Sequence, residues 1–528
     1  MATALQAGPA RTSAWRAAAA ASPHRHRGHA VHDRVPAPCP SVPVARVPPA
    51  TRVMPSVALL LAAMSGELPA QVQPARLPAA TAAAIDSLFV PMSHAGAPGC
   101  AVGVFQHGAI AFARGYGFAN LNHDVPITPT TRFTVGSVSK QFTAASIALL
   151  VRAGKLSLDD DVRKHIPEMN ATPTPVRVRH LVHHTSGLRD FWELVGLAGV
   201  RFDDGYTSDD MLALAARQRG LNFPPGSEYR YSNTGYLAMA VIVQRVTGQS
   251  LRRFADSAFF RPLGMRETIF LDDHTEVVPG RATAYSPRGD GWRIDVWNND
   301  IVGQGGIVTT LADLQKWDEN FYTGRVGGPE FLELMHQVEP LTSGAPNNYA
   351  FGITVGRYRG QRLVEHTGST GGYRAALFRF PDQHTSFAML CNRSTANTSQ
   401  LSLRMADLVL RESLGAAAPR GAAAGEERAP SRPVAAPRPQ ERAALVGRYT
   451  SPELMGAVYE VRPAADGTLQ LARPRAAAAA LAPLEPALTY GSGDQLTLIF
   501  DKPVRGKAPG FRLDANRVQH IRFERLDP

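Results

Sequence analysis

Cysteine is scarce in this sequence, with three residues among 528. Their spacing matches no zinc-binding pattern, and the H-E-x-x-H segment of a zinc protease is absent as well. The stretch VRHLVHHTSGLRDF contains His180, His183 and His184, but without a further ligand these histidines do not indicate a metal centre. We therefore expect neither a metal ion nor a cofactor in this protein.

Two of the three cysteines lie in strand-like segments. Cys100 occurs in PGCAVGVF and Cys391 in SFAMLC, whereas Cys39 belongs to the irregular N-terminal part. An exported protein could join Cys100 and Cys391 in a disulfide bond. We expect instead two buried free thiols, which behave in a core as small apolar side chains.

Long apolar runs are also lacking. The run from Val57 to Met64 is too short to span a membrane permanently, so no stable transmembrane anchor is expected. Because the small residues Pro69 and Ala70 follow it, the run is typical of a secretory signal peptide. We expect translation to start at Met54, a signal near residues 54–70 and a secreted or periplasmic bacterial protein. Upstream of the signal the chain has no hydrophobic periodicity, so segment 1–75 is predicted to be a disordered stretch followed by the signal.

Charge of one sign is only slightly in excess. The chain carries 56 Lys and Arg against 45 Asp and Glu, and residues 1–70 hold seven Arg against Asp33 and Glu67. Without that segment the balance is 49 against 43, a surplus of +6. Since no basic cluster is interleaved with aromatic residues, the sequence argues against nucleic-acid binding.

The stretch TVGSVSKQFTAASIALLV places two serines and a lysine at the start of a predicted helix opening at Ser137. The serines alone would be explained as helix caps, but Lys140 would face the positive end of the helix dipole, at a cost of about 0.3–1 kcal/mol. Residues three apart on a helix face each other, so Lys140 can meet Ser137 but not Ser139. The same helix end and burial would lower the lysine pKa and provide a neutral amine as general base. Ser137 is therefore the candidate nucleophile.

Strand-like segments stand at both ends of a mainly helical block. The segment 99–117 has the pattern of a β-hairpin, residues 209–261 are mainly helical, and from Gln304 onward glycine-rich turns separate further strands. A helix from Ser399 to Leu414 closes this region. The pattern predicts an α/β (α+β) domain over residues 76–415, in which one antiparallel sheet built from both ends is flanked by helices, with a helical subdomain.

A second domain is predicted at the C-terminus. Residues 416–441 form a linker rich in Ala, Pro and Arg. From residue 442 to 528 apolar and polar residues alternate at strand spacing, with Asp466-Gly467 as a hairpin turn. The pattern predicts a small all-β domain without a catalytic cluster.

Two later tripeptides complete a set with the S-x-x-K motif at Ser137. Tyr231-Ser232-Asn233 lies in a turn flanked by Gly and Pro, and His366-Thr367-Gly368 lies in a strand-like run. In this order S-x-x-K, Y-S-N and H-T-G resemble the three motifs of the serine β-lactamase and penicillin-binding family, in its class C β-lactamase-like and D-alanyl-D-alanine carboxypeptidase branch. The phrases HLVHHTSGL, RPLGM and GGIVTTLADLQKW resemble the family's connecting segments, so the resemblance spans about Ala80 to Leu414. The final domain is similar to the lipocalin-like barrel attached to many such hydrolases.

The resemblance implies a β-lactamase-like fold and a set of catalytic roles. Ser137 would attack a carbonyl to form an acyl-enzyme, with Lys140 helping to deprotonate it. Tyr231 would act with Lys140 as a proton shuttle to the leaving group and later activate water. Asn233 would orient the lysine and the substrate amide.

The H-T-G segment is implied to bind the substrate and its developing charge. The backbone N–H groups of Ser137 and Ser369 would form the oxyanion hole. Thr367 would donate a hydrogen bond to the substrate, and Gly368 would let the substrate lie close to the strand. His366 departs from the lysine common in β-lactamases, and a histidine is mostly neutral at pH 7.

The predicted function is an exported serine hydrolase that acts through an acyl-enzyme on a small peptide, amide or ester, with cell-wall fragments among the candidate substrates. A D,D-peptidase, a D-aminopeptidase and an esterase-like enzyme all fit the motifs. The alternatives are a class C-like β-lactamase and a penicillin-binding sensor without turnover. The sequence leaves the oligomeric state open.

Overall fold

The computed structural model describes residues 76–416, 437–493 and 495–526. The predicted upstream segment and signal peptide (1–75), with Cys39, lie outside this part, as does most of the predicted linker. Within the described part, no helix is both long enough and apolar enough to cross a membrane.

A six-stranded antiparallel sheet forms the centre of the first domain, in the order β12-β13-β14-β15-β1-β2. Its strands are β1 (Cys100–Gln106), β2 (Ala109–Tyr116), β12 (Thr354–Tyr358), β13 (Gln361–Thr370), β14 (Tyr373–Phe380) and β15 (Thr385–Cys391). The hairpin predicted over 99–117 is β1 and β2, and it pairs with the late strands through β1 and β15. The prediction of one antiparallel sheet built from both ends of the domain is confirmed.

The prediction of two free thiols is wrong. Cys100 and Cys391 form a disulfide bond, and both residues are completely buried. They stand directly opposite each other in the register of β1 and β15. Their sequence separation of 291 conceals this proximity in the sequence.

Helices cover both faces of the sheet. All seven residues of the inner strand β15 are buried, as expected for a strand that is covered on both sides. Helices α1 and α11 pack on one face, and helix α9 packs on β15, β1 and β2. These helices are α1 (Ala79–Phe89), α9 (Leu311–Thr323) and α11 (Thr398–Val409). The last one ends at Val409 and not at the predicted Leu414.

The helical subdomain surrounds a buried helix, α2, which packs against α6. Its helices are α2 (Lys140–Arg152), α3 (Val178–Val182), α4 (Phe191–Leu197), α5 (Ser208–Ala216), α6 (Asn233–Thr247), α7 (Leu251–Ala255), α8 (Arg261–Leu263) and α10 (Gly328–His336). A 3-10 turn, Gly136–Ser139, precedes α2, so the α-helix begins at Lys140 and not at the predicted Ser137.

Nine short strands lie outside the central sheet and form smaller sheets of two or three strands within the described residues. These are β3 (Phe118–Asn120), β4 (Val125–Pro126), β5 (Phe133–Thr134), β6 (Tyr206–Thr207), β7 (Ile269–Phe270), β8 (Tyr285–Arg288), β9 (Gly291–Ile294), β10 (Asn299–Asp300) and β11 (Ile307–Thr309). Strand β11 lies between β5 and β7, which brings the glycine-rich segment GQGG beside the turn that contains Ser137.

The C-terminal domain is a closed barrel of eight strands, which confirms the predicted all-β barrel. The strands are β16 (Gly447–Ser451), β17 (Ala457–Pro463), β18 (Leu469–Ala472), β19 (Ala479–Leu484), β20 (Thr489–Ser492), β21 (Thr497–Phe500), β22 (Gly510–Asp514) and β23 (Ile521–Arg525). The predicted turn at Asp466-Gly467 joins β17 to β18, with Gly467 at φ 78°. Helix α12 (Pro439–Leu445) begins inside the predicted linker, because Pro439 and the Glu441 side chain form a helix start there.

Candidate active site

Ser137 and Lys140 lie beside each other at the start of α2. The Lys140 Nζ is 3.3 Å from the Ser137 Oγ. Ser139, in contrast, is completely buried, and its hydroxyl accepts a hydrogen bond from the Ile307 N–H at 3.0 Å. As predicted from their spacing, Ser137 faces the lysine and Ser139 does not; Ser139 instead binds the backbone next to the glycine-rich segment.

Lys140 is completely buried, and its amine has two polar partners besides Ser137. It donates to the Asn233 Oδ1 at 2.8 Å and to the Gln304 carbonyl oxygen at 2.6 Å. Burial lowers the pKa of Lys140 well below its usual value, and the positive charge of Arg517 lowers it further against the opposing effect of Asp190. A lysine with a lowered pKa can hold the neutral amine that a general base requires.

Tyr231 lies on the other side of the amine. The Lys140 Nζ is 4.8 Å from the centre of the Tyr231 ring. The Tyr231 hydroxyl is buried and makes no hydrogen bond of normal geometry. Burial raises the pKa of Tyr231, and the nearby Ser137 hydroxyl opposes this rise. The ring packs on His184 at 4.2 Å, and the His184 Nδ1 accepts from the Ser232 N–H at 3.1 Å. A buried, neutral His184 therefore positions the Y-S-N turn.

Asp190, which was not predicted from the sequence, holds Asn233 in place beside Lys140. Its Oδ2 accepts two hydrogen bonds from Asn233, one from the backbone and one from the side-chain nitrogen, both at 2.7 Å. Its Oδ1 accepts from the Trp192 N–H at 3.0 Å and so caps helix α4. Asp190 fixes the Asn233 amide so that its oxygen faces Lys140. The sequence signal was weak, since an aspartate before a helix is also an ordinary cap.

His366 is held by a phenol and a carbonyl. Its Nε2 lies 2.9 Å from the Tyr349 hydroxyl and its Nδ1 lies 2.5 Å from the Thr367 carbonyl oxygen. Burial lowers the pKa of His366 to about 4. The ring is therefore neutral near pH 7 and provides no positive charge to a substrate carboxylate. Tyr349 was not predicted from the sequence.

Strand β13 brings the H-T-G segment against the turn that contains Ser137. A Cβ atom on Gly136 would lie 2.7 Å from the Ser369 nitrogen, so the two backbones are in close contact. A Cβ atom on Gly368 would lie 1.9 Å from the Val135 carbonyl oxygen and 3.1 Å from the Ser137 nitrogen. Gly368 is thus required by the packing of the protein's own backbone, a constraint separate from the predicted approach of a substrate to the strand.

These residues border an open cleft of about 830 Å³. Among its lining residues are all the predicted site residues except Lys140, which lies beneath them: Ser137, Tyr231, Asn233, His366, Thr367, Gly368 and Ser369. The cleft extends to Trp192 and Trp297 and, unexpectedly, to Arg517 of the barrel domain. The three motifs are therefore brought together at one site, and the roles given to their residues stay predictions.

The histidines of the segment VRHLVHHTSGLRDF bind groups of the protein itself. His183 lies 2.9 Å from the Tyr349 carbonyl oxygen through its Nδ1, and the His180 Nδ1 accepts from the Arg177 N–H at 3.1 Å. Both rings, like that of His184, thus take part in local hydrogen bonding and packing around the site.

Comparisons with known proteins agree with the motifs. The family model described as Beta-lactamase matches residues 85–412. The chain is 30% identical over 302 residues to a D-aminopeptidase of Gluconobacter oxydans and 30% identical over 343 residues to a D-aminopeptidase of Cereibacter sphaeroides. The alignments cover 57% and 62% of this chain but only 56% and 61% of those relatives.

Solved structures share the fold at low identity. The octameric penicillin-binding protein homologue from Pyrococcus abyssi superposes with a TM-score of 0.55 at 24% identity, over 84% of this chain and 99% of that one. The D-amino acid amidase from Ochrobactrum anthropi, solved with L-phenylalanine amide, gives 0.52 at 22% identity, over 63% of this chain and 98% of that one.

Proposed function

This chain belongs to the beta-lactamase family, and we propose that it is a serine hydrolase of the D-peptidase or amidase type, which cleaves a small peptide or amide through an acyl-enzyme. The observation that carries the proposal is the contact between Ser137 and the buried Lys140 amine. Similarity to proteins named D-aminopeptidase supports the substrate class.

Acylation begins with a proton transfer between neighbours. The neutral amine of Lys140 accepts the Ser137 proton as Oγ attacks the substrate carbonyl. The carbonyl becomes a tetrahedral oxyanion, which the backbone N–H groups of Ser137 and Ser369 stabilise; one such donor is worth about 2.7–4 kcal/mol. The proton then passes by way of the Tyr231 hydroxyl to the leaving nitrogen, and the C–N bond breaks.

Deacylation repeats these steps with water. The Tyr231 hydroxyl and the Lys140 amine remove a proton from the water molecule that attacks the ester carbonyl. The ester bond breaks, the Ser137 hydroxyl is restored, and the acid product leaves. Asn233, held by Asp190, keeps its amide oxygen on the lysine during both half-reactions.

Export belongs to the same proposal. The disulfide between Cys100 and Cys391 supports it, because such bonds persist in oxidising compartments and are rare in the cytosol. The predicted signal near residues 54–70, in which small residues follow the apolar run from Val57 to Met64, is the segment that would direct the chain there.

Mass spectrometry tests the acyl-enzyme directly. We would incubate the protein with an activated ester, a D-amino acid amide, a D-alanyl-D-alanine peptide and a penicillin. The adduct is expected on the peptide that contains Ser137, in the wild type and in Ser139→Ala, and to be absent in Ser137→Ala. Release of the acid product from the D-amino acid amide at a steady rate supports an enzyme, and an adduct that forms equally in Ser137→Ala would overturn the proposal.

A further inference from the structure

The cleft has an uneven charge distribution. Three arginines, Arg281, Arg374 and Arg517, are among its lining residues. Within the described residues, no aspartate or glutamate lines the same cleft. A ligand with a free ammonium group would meet like charge there, whereas an anionic ligand would meet opposite charge.

Arg517 is the arginine that lies near the catalytic network. Its guanidinium carbon is 4.9 Å from the centre of the Tyr231 ring. Its side chain is 40% exposed and makes no hydrogen bond among the residues that the structure describes. The nearest carboxylate oxygen is the Asp190 Oδ2, 4.0 Å away and already occupied by the two Asn233 donors. The guanidinium thus has no hydrogen bond to a described side chain, but its charge is shared with Asp190 and with the nearby Glu193, whose burial-raised pKa it opposes. A ligand carboxylate would compete with these two groups for it.

The other two arginines are placed differently. Arg374 donates to the Gly371 and Tyr373 carbonyl oxygens at 2.8 and 2.7 Å, and the charge of Asp295 acts on it. Arg281 lies near Tyr373, whose pKa its charge lowers against the effect of burial. Of the three, Arg517 alone contacts the ring of a predicted catalytic residue.

Arg517 belongs to the barrel loop, residues 515–520 between β22 and β23, which is fixed to the first domain. The Asn222 side chain donates to the Arg517 carbonyl oxygen at 3.0 Å and accepts from the Gln519 N–H at 2.7 Å. The Arg189 guanidinium donates to the Gln519 carbonyl oxygen at 2.9 Å and to the buried Glu453 carboxylate at 2.7 Å. These contacts hold the loop backbone that carries Arg517 before a ligand arrives, which reduces the entropic cost of binding.

We propose that Arg517 determines substrate specificity by binding an anionic group, the terminal carboxylate of a D-amino acid residue, in the catalytic cleft. Guanidinium and carboxylate match in a bidentate geometry. The inference rests on the proposed function, and it assigns to the barrel the positive charge that the neutral His366 does not provide. It predicts that substrates ending in a free carboxylate are preferred over those with a free ammonium group at that position.

Binding to an inactive variant tests the inference without turnover. In Ser137→Ala, calorimetry would compare N-acetyl-D-alanyl-D-alanine with its C-terminal amide, and Trp192 and Trp297 provide a fluorescence signal in the cleft. We expect the free acid to bind at least ten-fold tighter than the amide. Adding Arg517→Gln should bring the two affinities within two-fold, and Arg517→Lys should keep part of the difference.

A matched variant and a separate reaction distinguish a failure of the Arg517 inference from a failure of the proposed function. Arg512→Gln removes an exposed arginine on β22 of the same barrel and should leave the ratio unchanged. Equal binding of acid and amide to Ser137→Ala, or an equal loss of both in the additional Arg517→Gln variant, would overturn the role of Arg517. Acylation of wild-type Ser137 by a neutral activated ester tests the proposed function independently, since that substrate carries no carboxylate.

Discussion

Asp190 binds Asn233 through one carboxylate oxygen, which accepts from both the backbone and the side-chain nitrogen of the asparagine at 2.7 Å. The side-chain amide of Asn233 cannot rotate by 180° without losing one of these bonds, so its oxygen stays directed at the Lys140 amine. A carboxylate outside the three motifs therefore controls the orientation of a group inside one of them.

Replacing this carboxylate tests its positioning role. Asp190→Asn should reduce kcat by roughly a hundred-fold, because a misplaced catalytic group costs about that much. Asp190 raises the Lys140 pKa, so its loss should also move the acidic limb of the kcat/KM profile to lower pH. A merely structural role would leave the profile in place, and an unchanged limb would contradict the assignment. Asn is itself a good cap for α4.

Ser139 offers a stability test that is separate from catalysis. Ser139→Ala leaves the buried Ile307 N–H without its partner, which should lower the free energy of unfolding by about 1–3 kcal/mol. Acylation of Ser137 should persist in the folded fraction. Urea unfolding measures the first effect and the adduct mass measures the second; complete loss of the adduct in folded Ser139→Ala would show that the two serines do not act separately.

The buried lysine makes stability depend on pH. Below pH 10.5 the unfolded chain protonates this lysine, whereas the folded chain keeps Lys140 neutral down to its much lower pKa, so unfolding takes up a proton. The unfolding free energy of the wild type should therefore rise with pH in this window, by at most about 1.4 kcal/mol per pH unit.

Lys140→Met lacks this titration and is the comparison for the measurement. As the pH rises towards 10.5, the stability of the wild type should increase relative to that of the variant, as followed by chemical denaturation at each pH. Parallel profiles would mean that the amine is charged in the folded protein, which would also remove it as a general base.

The disulfide should contribute measurably to stability. Replacing Cys100 and Cys391 together by alanine should lower the free energy of unfolding by about 2–4 kcal/mol, because the bond restricts the unfolded chain. Reductant should destabilise the wild type and leave the double variant unaffected. Labelling of both cysteines in denatured, unreduced protein purified from an oxidising compartment would contradict the bond.

The fold and the motifs were predictable where the signal is local. Alternating residues indicate the strands, and the three-residue spacing of Ser137 and Lys140 places both on one side of a helix start. The other features depend on contacts between distant segments. The disulfide requires the register of β1 with β15, Asp190 requires the packing of its turn against Asn233, and Arg517 requires the docking of the barrel loop. Tertiary contacts of this kind leave no periodicity in the sequence.

The Arg189–Glu453 ion pair, which is almost completely buried between the two domains, limits how this gene can be recombined. Removing the barrel at the Ala- and Pro-rich linker would leave Arg189 without its buried partner carboxylate, a change that typically costs about 3–5 kcal/mol. In a chimera, the new barrel would have to provide an acidic residue in place of Glu453 and a loop whose backbone binds Asn222. The linker is thus a boundary in composition but not a boundary at which the two halves can be exchanged.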